Sequence, residues 1–162
     1  MVNFSPVTKT DLAAILTIYN HYILNSTATF HSGKLTRKDL EEFLFVSHPK
    51  YPSFLIKDND DIIGYCFLTR HKKRQAYDRT ADMSLYFKPE YTGKENGIIA
   101  VKFLENAAIK AGIKVLVCFT SGDNLKSISL LKKMQYKKCA HFKNIGEKSG
   151  KILDVIAYQK EL

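Results

Sequence analysis

Residues 113–120 (IKVLVCFT) form a nearly continuous apolar run. A strand with one wet face alternates apolar and polar residues, so a run without alternation marks a strand covered on both faces. Such a strand needs a layer on either side, and the rest of the chain supplies candidates. Thr8 and Thr10-Asp11 can cap a helix that carries Leu12, Ile15, Leu16, Tyr19, Tyr22 and Ile23 at helical spacing. Thr36-Arg37-Lys38-Asp39 opens a second helix in capping-box style, with Leu40, Phe43, Leu44 and Val46 on one face and Pro49 and Pro52 as its stop.

Residues 53–57 and 62–68 read as a hairpin across the turn chemistry of Asp58-Asn59-Asp60-Asp61. A strand at 83–87 is closed by Pro89. A helix over about 98–111 presents Ile99, Phe103, Leu104 and Ala107, and Gly112 stops it. Asp123 or Asn124 caps a shorter helix with Ile128, Leu130, Leu131 and Met134, and two strands around 137–142 and 152–159 flank a glycine-containing loop. The order ααββ–β–αβ–αββ predicts one mixed α/β domain over residues 1–162.

Composition narrows the function classes. With 162 residues, 45% hydrophobic and 25% charged, the chain can bury a core without a disulfide or metal staple. Twenty-five basic against 16 acidic residues give a net charge of +9, which suits nucleic acid or an anionic small molecule. The densest basic cluster, Arg70-His71-Lys72-Lys73-Arg74, is short and reads as a solvated loop, and no aromatic-rich RNA motif accompanies it, so nucleic acid is not the expected partner. Three dispersed cysteines without a CxxC pair lack zinc-site spacing, and Cys66 and Cys118 sit in apolar runs as core thiols, which fits a reducing compartment. No stretch approaches the ~18 apolar residues of a membrane span, and the first residues lack an apolar signal region. The expected location is the cytoplasm.

The chemistry concentrates where the 83–87 strand meets Gly93-Lys94-Glu95-Asn96-Gly97 and the next helix. Strand, glycine turn and helix N-terminus together offer free N–H groups and a positive dipole end, which suits a pyrophosphate. The pattern is neither GxxxxGK[ST] nor GxGxxG, so it supports neither a P-loop nor a dinucleotide fingerprint. His21, His31 and His141 fall into no Ser/His/Asp or Cys/His arrangement and receive no role.

Four stretches then carry a resemblance to the GCN5-related N-acetyltransferase (GNAT) superfamily, in its phosphinothricin N-acetyltransferase-like branch. They are Ile18-Tyr19-Asn20-His21-Tyr22 with Ser26-Thr27-Ala28-Thr29-Phe30; Arg74-Gln75-Ala76-Tyr77 through Thr80-Ala81-Asp82-Met83-Ser84-Leu85-Tyr86-Phe87 to Gly97; Asn124, Ser127, Ile128 and Leu130; and Ile145-Gly146-Glu147-Lys148 with Gly150 and Leu153-Asp154. The resemblance implies a mostly antiparallel twisted sheet whose two central strands splay into a V that holds acetyl-CoA. It implies cofactor contacts from Leu85, Tyr86, Phe87, Gly93, Lys94, Gly97 and Ile98, with Asn124 and Ser127 along the pantetheine arm. Asp82 stands where the branch has its glutamate and is the implied general base, acting through water. Arg74, Tyr77, Phe30 and Lys148 are the implied substrate contacts; Tyr19, on the apolar helix face, reads better as core.

The implied reaction is direct acetyl transfer to the primary amine of a small amino acid or analogue of the phosphinothricin or methionine sulfoximine kind, without a metal and in a homodimer. The sequence departs from the branch at several points. Thr92 and Glu95 replace an arginine and a glycine of the pyrophosphate turn, Leu131 replaces a histidine or tyrosine, Arg79 and Ile152 stand at tryptophan positions, and Met134-Gln135-Tyr136 replaces Leu-Gly-Phe. Two alternatives therefore stay open: a CoA-binding protein of this fold with little catalysis, and transfer to another amine or a protein or ribosomal substrate.

Overall fold

The computed structural model describes residues 1–93 and 95–162. Seven strands form one sheet: β1 (Val2–Pro6), β2 (Ser53–Asp58), β3 (Asp61–Arg70), β4 (Thr80–Phe87), β5 (Val115–Ser121), β6 (Lys137–Lys148) and β7 (Lys151–Glu161), in the order β1-β2-β3-β4-β5-β7-β6. Four helices flank it: α1 (Leu12–Asn25), α2 (Arg37–Glu41), α3 (Asn96–Lys110) and α4 (Leu125–Lys133). The β4–β5 pair is parallel and the other neighbours are antiparallel. The mixed α/β sheet expected from the sequence is present.

Each face of the sheet has its own core. Ala100, Val101, Leu104 and Ala108 of α3 and Leu131 of α4 pack with Cys66, Leu68, Met83, Leu116 and Cys118 on one face. Leu12, Ile15, Ile18, Tyr19 and Ile23 of α1 and Leu40 of α2 pack with Tyr65 and Phe67 on the other. Side chains as completely enclosed as Leu12 or Leu104 each contribute ~1.5–3 kcal/mol of burial. β3 feeds both cores, which is why residues 63–68 are buried without alternation. β5 departs from that rule at one place: Phe119 is 45% exposed in the midst of its apolar run.

Other expectations need correction. β1 is not legible in the sequence, because five edge residues (VNFSP) carry little pattern; Phe4 anchors it by stacking on Phe103 at 3.9 Å. α2 starts on the expected box, with the Thr36 N–H donating to Asp39 Oδ2 at 2.8 Å, but closes at Glu41 and continues as turns. On α3 the buried stripe runs through Gly97, Ala100, Val101, Leu104 and Ala108, and Ile99 is exposed. The predicted loop after Phe142 is strand: β6 and β7 continue to Lys148 and Lys151 and join through Ser149-Gly150, both at positive φ (53° and 74°), the two-residue turn that matches strand twist.

α4 ends in a Schellman pair of bonds, Tyr136 N–H to Leu131 O and Gln135 N–H to Lys132 O. Gln135 occupies the left-handed position at φ 64°, where α3 uses Gly112. A side chain there carries a steric cost that glycine avoids.

Candidate active site

The β4–β5 ladder is short. Thr80 pairs with Val115, Ala81 with Leu116 and Asp82 with Val117, and there the pairing stops. Beyond that register the strands part, and Met83 to Phe87 on one wall and Cys118 to Thr120 on the other bound a cleft of about 940 Å³. β3 still pairs with β4 from Ala81 to Phe87, so only the inner edge of β4 is released. A released edge carries unpaired N–H and C=O groups that an extended ligand can engage.

The cleft ends at the turn into α3. Gly93 has φ 77°, a conformation that disfavours a side chain, and nothing lies within 4 Å of where its Cβ would be. Gly97 serves a different need: a Cβ there would meet Leu130 Cδ2 at 3.0 Å, so glycine lets α4 close onto α3. At the start of α3 the Ile98 and Ile99 N–H groups turn back to the Glu95 carbonyl at 2.9 and 3.2 Å, and the cleft meets the positive end of the helix dipole. Lys126 Nζ donates to Thr92 Oγ1 at 3.4 Å and adds a cation to this end of the cleft. Glu95 is exposed at the N-cap.

Leu85, Tyr86, Phe87, Gly93, Gly97, Ile98, Asn124 and Ser127 all line the cleft. Lys94 lies outside the described residues. Asn124 caps α4, its carboxamide oxygen accepting the Ser127 N–H at 3.2 Å, so the NH₂ is the group left for a ligand. Cys118 lines the same space, but burial pushes its thiol far up, with Asp82 and Glu105 adding to the shift, which makes it a poor nucleophile at neutral pH. Leu131 is buried at the cleft wall and offers no proton.

Asp82 sits at the apex of the splay. Strand alternation places it with Ser84 and Tyr86, on the face opposite Ala81 and Met83. Its Oδ1 is 2.6 Å from Nδ1 of His71, a residue in the loop after β3. Burial raises the Asp82 carboxyl above the ordinary carboxylate value, while the His71 hydrogen bond and charge and, more weakly, Lys72 pull it down. The His71 ring lies parallel to Phe119, with centroids 6.3 Å and planes 3° apart, and meets the Tyr77 ring edge-on at 5.8 Å. The half-exposed Phe119 also lines the cleft, so it connects this pair to it.

The sequence pattern alone misses His71, because it places the residue in a solvated basic run. A usable signal exists: a hairpin that pairs Thr69 with Asp82 brings the next residues of the loop to that carboxylate.

The implied substrate residues divide into two groups. Tyr77 is beside His71, and Arg74 is exposed at the start of the same turn. Phe30 and Lys148 are elsewhere, Phe30 45% exposed after the buried Thr29 and Lys148 enclosed with its ammonium donating to the Thr29 carbonyl at 2.8 Å. Burial lowers the Lys148 pKa. Tyr19 is core, its hydroxyl on His31 Nδ1 at 2.8 Å. Among the described residues no group of three or more His, Cys, Asp or Glu could hold a metal ion, and no helix is long and apolar enough to cross a membrane.

Comparison with known proteins agrees with this geometry. The chain is 27% identical over 155 residues to an L-methionine sulfoximine/L-methionine sulfone acetyltransferase of Salmonella typhimurium, covering 95% of this chain and 91% of that one. It is 26% identical over 160 residues to a phosphinothricin N-acetyltransferase of Streptomyces viridochromogenes, covering 99% and 87%. In fold it is similar to a GNAT superfamily phosphinothricin acetyltransferase from Sinorhizobium meliloti solved in complex with AcCoA, with TM-score 0.91, 23% identity, and 99% and 88% of the two chains covered. The family model for the acetyltransferase (GNAT) domain matches residues 5–157, and the chain belongs to that family.

Proposed function

We propose that the splay between β4 and β5 takes acetyl-CoA and that the protein transfers its acetyl group to the primary amine of a small amino acid of the phosphinothricin or methionine sulfoximine kind. The carrying observation is the coincidence, at one register step, of the end of β4–β5 pairing and a largely buried carboxylate. The relatives' names support the reaction and the acceptor class.

In this reading the pantetheine arm runs along Leu85, Tyr86 and Phe87 as an added strand, with Asn124 and Ser127 across from it. The pyrophosphate rests on Gly93, Gly97, Ile98 and the α3 N-terminus. Lys126, reaching across to Thr92, supplies a cation where the turn itself has none at that position. The surplus of +9 draws the polyanionic cofactor in. The acceptor approaches from the Asp82 face, its carboxylate suited to the fork of Arg74 beside Tyr77. Phe30 and Lys148 form a more distant wall, where Lys148 fixes the Thr29 backbone.

The ammonium must lose a proton before its nitrogen can attack the thioester carbon, and Asp82 drives that loss through its surroundings. Transfer is direct in this reading, and the upward shift that burial gives the Cys118 thiol speaks against a thioester on the protein. The tetrahedral adduct collapses with loss of the thiolate, which takes the adduct nitrogen's remaining proton, Leu131 having none to give. We place the enzyme in the cytoplasm, on its buried free thiols. We also propose a homodimer, the second copy covering the outer edge of β6, a twelve-residue strand with Phe142 and Ile145 exposed.

The test is thiol release with L-methionine sulfoximine and phosphinothricin as acceptors, with the product mass checked for one added acetyl group. Acetylated amino acid at enzyme-dependent rates supports the reading. Acetyl-CoA binding without any product would favour a CoA-binding protein of this fold instead.

A further inference from the structure

We propose that His71 is the group that takes the proton from the acceptor ammonium, with Asp82 as the positioning residue that fixes its tautomer. This rests on the acetyl-transfer reading above and names the proton acceptor within it. A carboxylate can only accept, so at 2.6 Å the imidazole donates from Nδ1, and the lone pair is then on Nε2. Among the described residues Nε2 has no protein partner. The ring is held by Tyr77 edge-on from the loop and by Phe119 in parallel from β5, and its side chain is only 18% exposed. Phe119 carries this arrangement to the cleft wall. The same carboxylate–imidazole geometry, a buried acid orienting a base, recurs on unrelated folds where a nucleophile must lose a proton.

The groups that bear on His71 are few. Asp82 faces it from β4 and Tyr77 from the following turn, Phe119 on β5 does not titrate, and Lys72 in its own loop acts on Asp82. Arg74, exposed in that loop, is the nearby cation assigned to the acceptor.

The step balances. Nε2 of neutral His71 takes one proton from R–NH₃⁺, the freed nitrogen pair forms the C–N bond at the thioester carbon, and the C–S electrons leave with sulfur. The adduct nitrogen's second proton passes to the thiolate, and the imidazolium returns its proton to solvent. R–NH₃⁺ and acetyl-CoA thus give the N-acetyl product, CoA–SH and one H⁺.

The experiment measures kcat/KM against pH for the wild type, His71→Ala and His71→Asn, with L-methionine sulfoximine as acceptor, in the presence and absence of free imidazole. His71→Ala is expected to lose about 10²–10⁴-fold in kcat/KM with its acetyl-CoA affinity kept, to lose the acid limb of the pH profile, and to regain rate in proportion to added imidazole. His71→Asn, which keeps a donor for Asp82, is expected to lose as much without rescue, and the thermal unfolding of both variants separates lost folding from lost chemistry. Near-wild-type turnover in either variant overturns the proposal and leaves Asp82 acting through water. A wild type inert toward the acceptor refutes the acceptor reading instead, and the proposal then stands on ¹⁵N NMR of the imidazole. There a protonated Nδ1 with a bare Nε2 supports it, and a protonated Nε2 with a bare Nδ1 overturns it.

Discussion

The protein contains two aspartate–histidine pairs of nearly equal length in very different settings. His71–Asp82, at 2.6 Å, joins the end of β3 to β4 at the apex of the splay, its side chains 18% and 23% exposed. His141–Asp154, at 2.7 Å, ties β6 to β7 on the outer hairpin at 31% and 33%. Asp154 also accepts the N–H of Asn144 at 2.8 Å, where the backbone turns left-handed and the β6–β7 register slips between Phe142 and Gly146. That N–H first, and His141 second, hold its carboxyl below the ordinary range. Burial holds Asp82 above it despite an equally close imidazole. One ionised carboxylate supports the fold, and the other is tolerated by it. A charge kept at a cost to the fold is the better candidate for chemistry.

The comparison breaks most sharply at turnover. Asp82→Asn is expected to lower kcat by about 10²–10⁴-fold, with acetyl-CoA affinity nearly unchanged, while Asp154→Asn stays close to wild type. Parallel thiol-release assays of the two variants decide this. Comparable losses in both would remove the distinction between the pairs.

A smaller effect, of opposite sign at the two sites, is expected in the pH dependence of stability. Asp154 has a lowered folded-state pKa, so its contribution is present above its unfolded value (about 3.9) and lost as pH falls through the lower folded value. Asp82 has a raised one, so ionisation costs stability as pH rises from about 3.9 through the higher folded value. At neutral pH, Asp154→Asn therefore lowers Tm and Asp82→Asn holds or raises it, a contrast that thermal unfolding across pH 3–7 reads directly. The smallest effect serves as a background for weakened variants. Gln135→Gly, far from the chemistry of either pair, is expected to add about 0.5–1 kcal/mol by relieving a left-handed side chain at the end of α4.

Local patterns are legible in the sequence where local physics decides them. The capping box at Thr36, the buried face of α1, the apolar run of β5, the glycine stop of α3 and the glycine turn before it all depend on neighbouring residues. The cleft lining is legible too, as a set of positions that a known family shares. The features that escape depend on distant partners. β1 exists because β2 offers an edge, and the β6–β7 hairpin is longer than its hydrophobic pattern because a two-residue turn and mutual pairing sustain polar strands. Ile99 faces water because α3 is oriented by Leu130 closing on Gly97 rather than by the widest apolar stripe. His71 is hidden in a basic run, since only the β3–β4 register brings it to an aspartate eleven residues away.

The most direct test of the account is whether the splay takes the cofactor. Equilibrium unfolding with and without acetyl-CoA at ~100 times its dissociation constant should show about 2.7 kcal/mol of added stability, with no gain from adenosine at the same concentration. An unchanged unfolding curve at millimolar acetyl-CoA would contradict it, and would mean that Thr92 and Glu95 have closed this turn to a pyrophosphate.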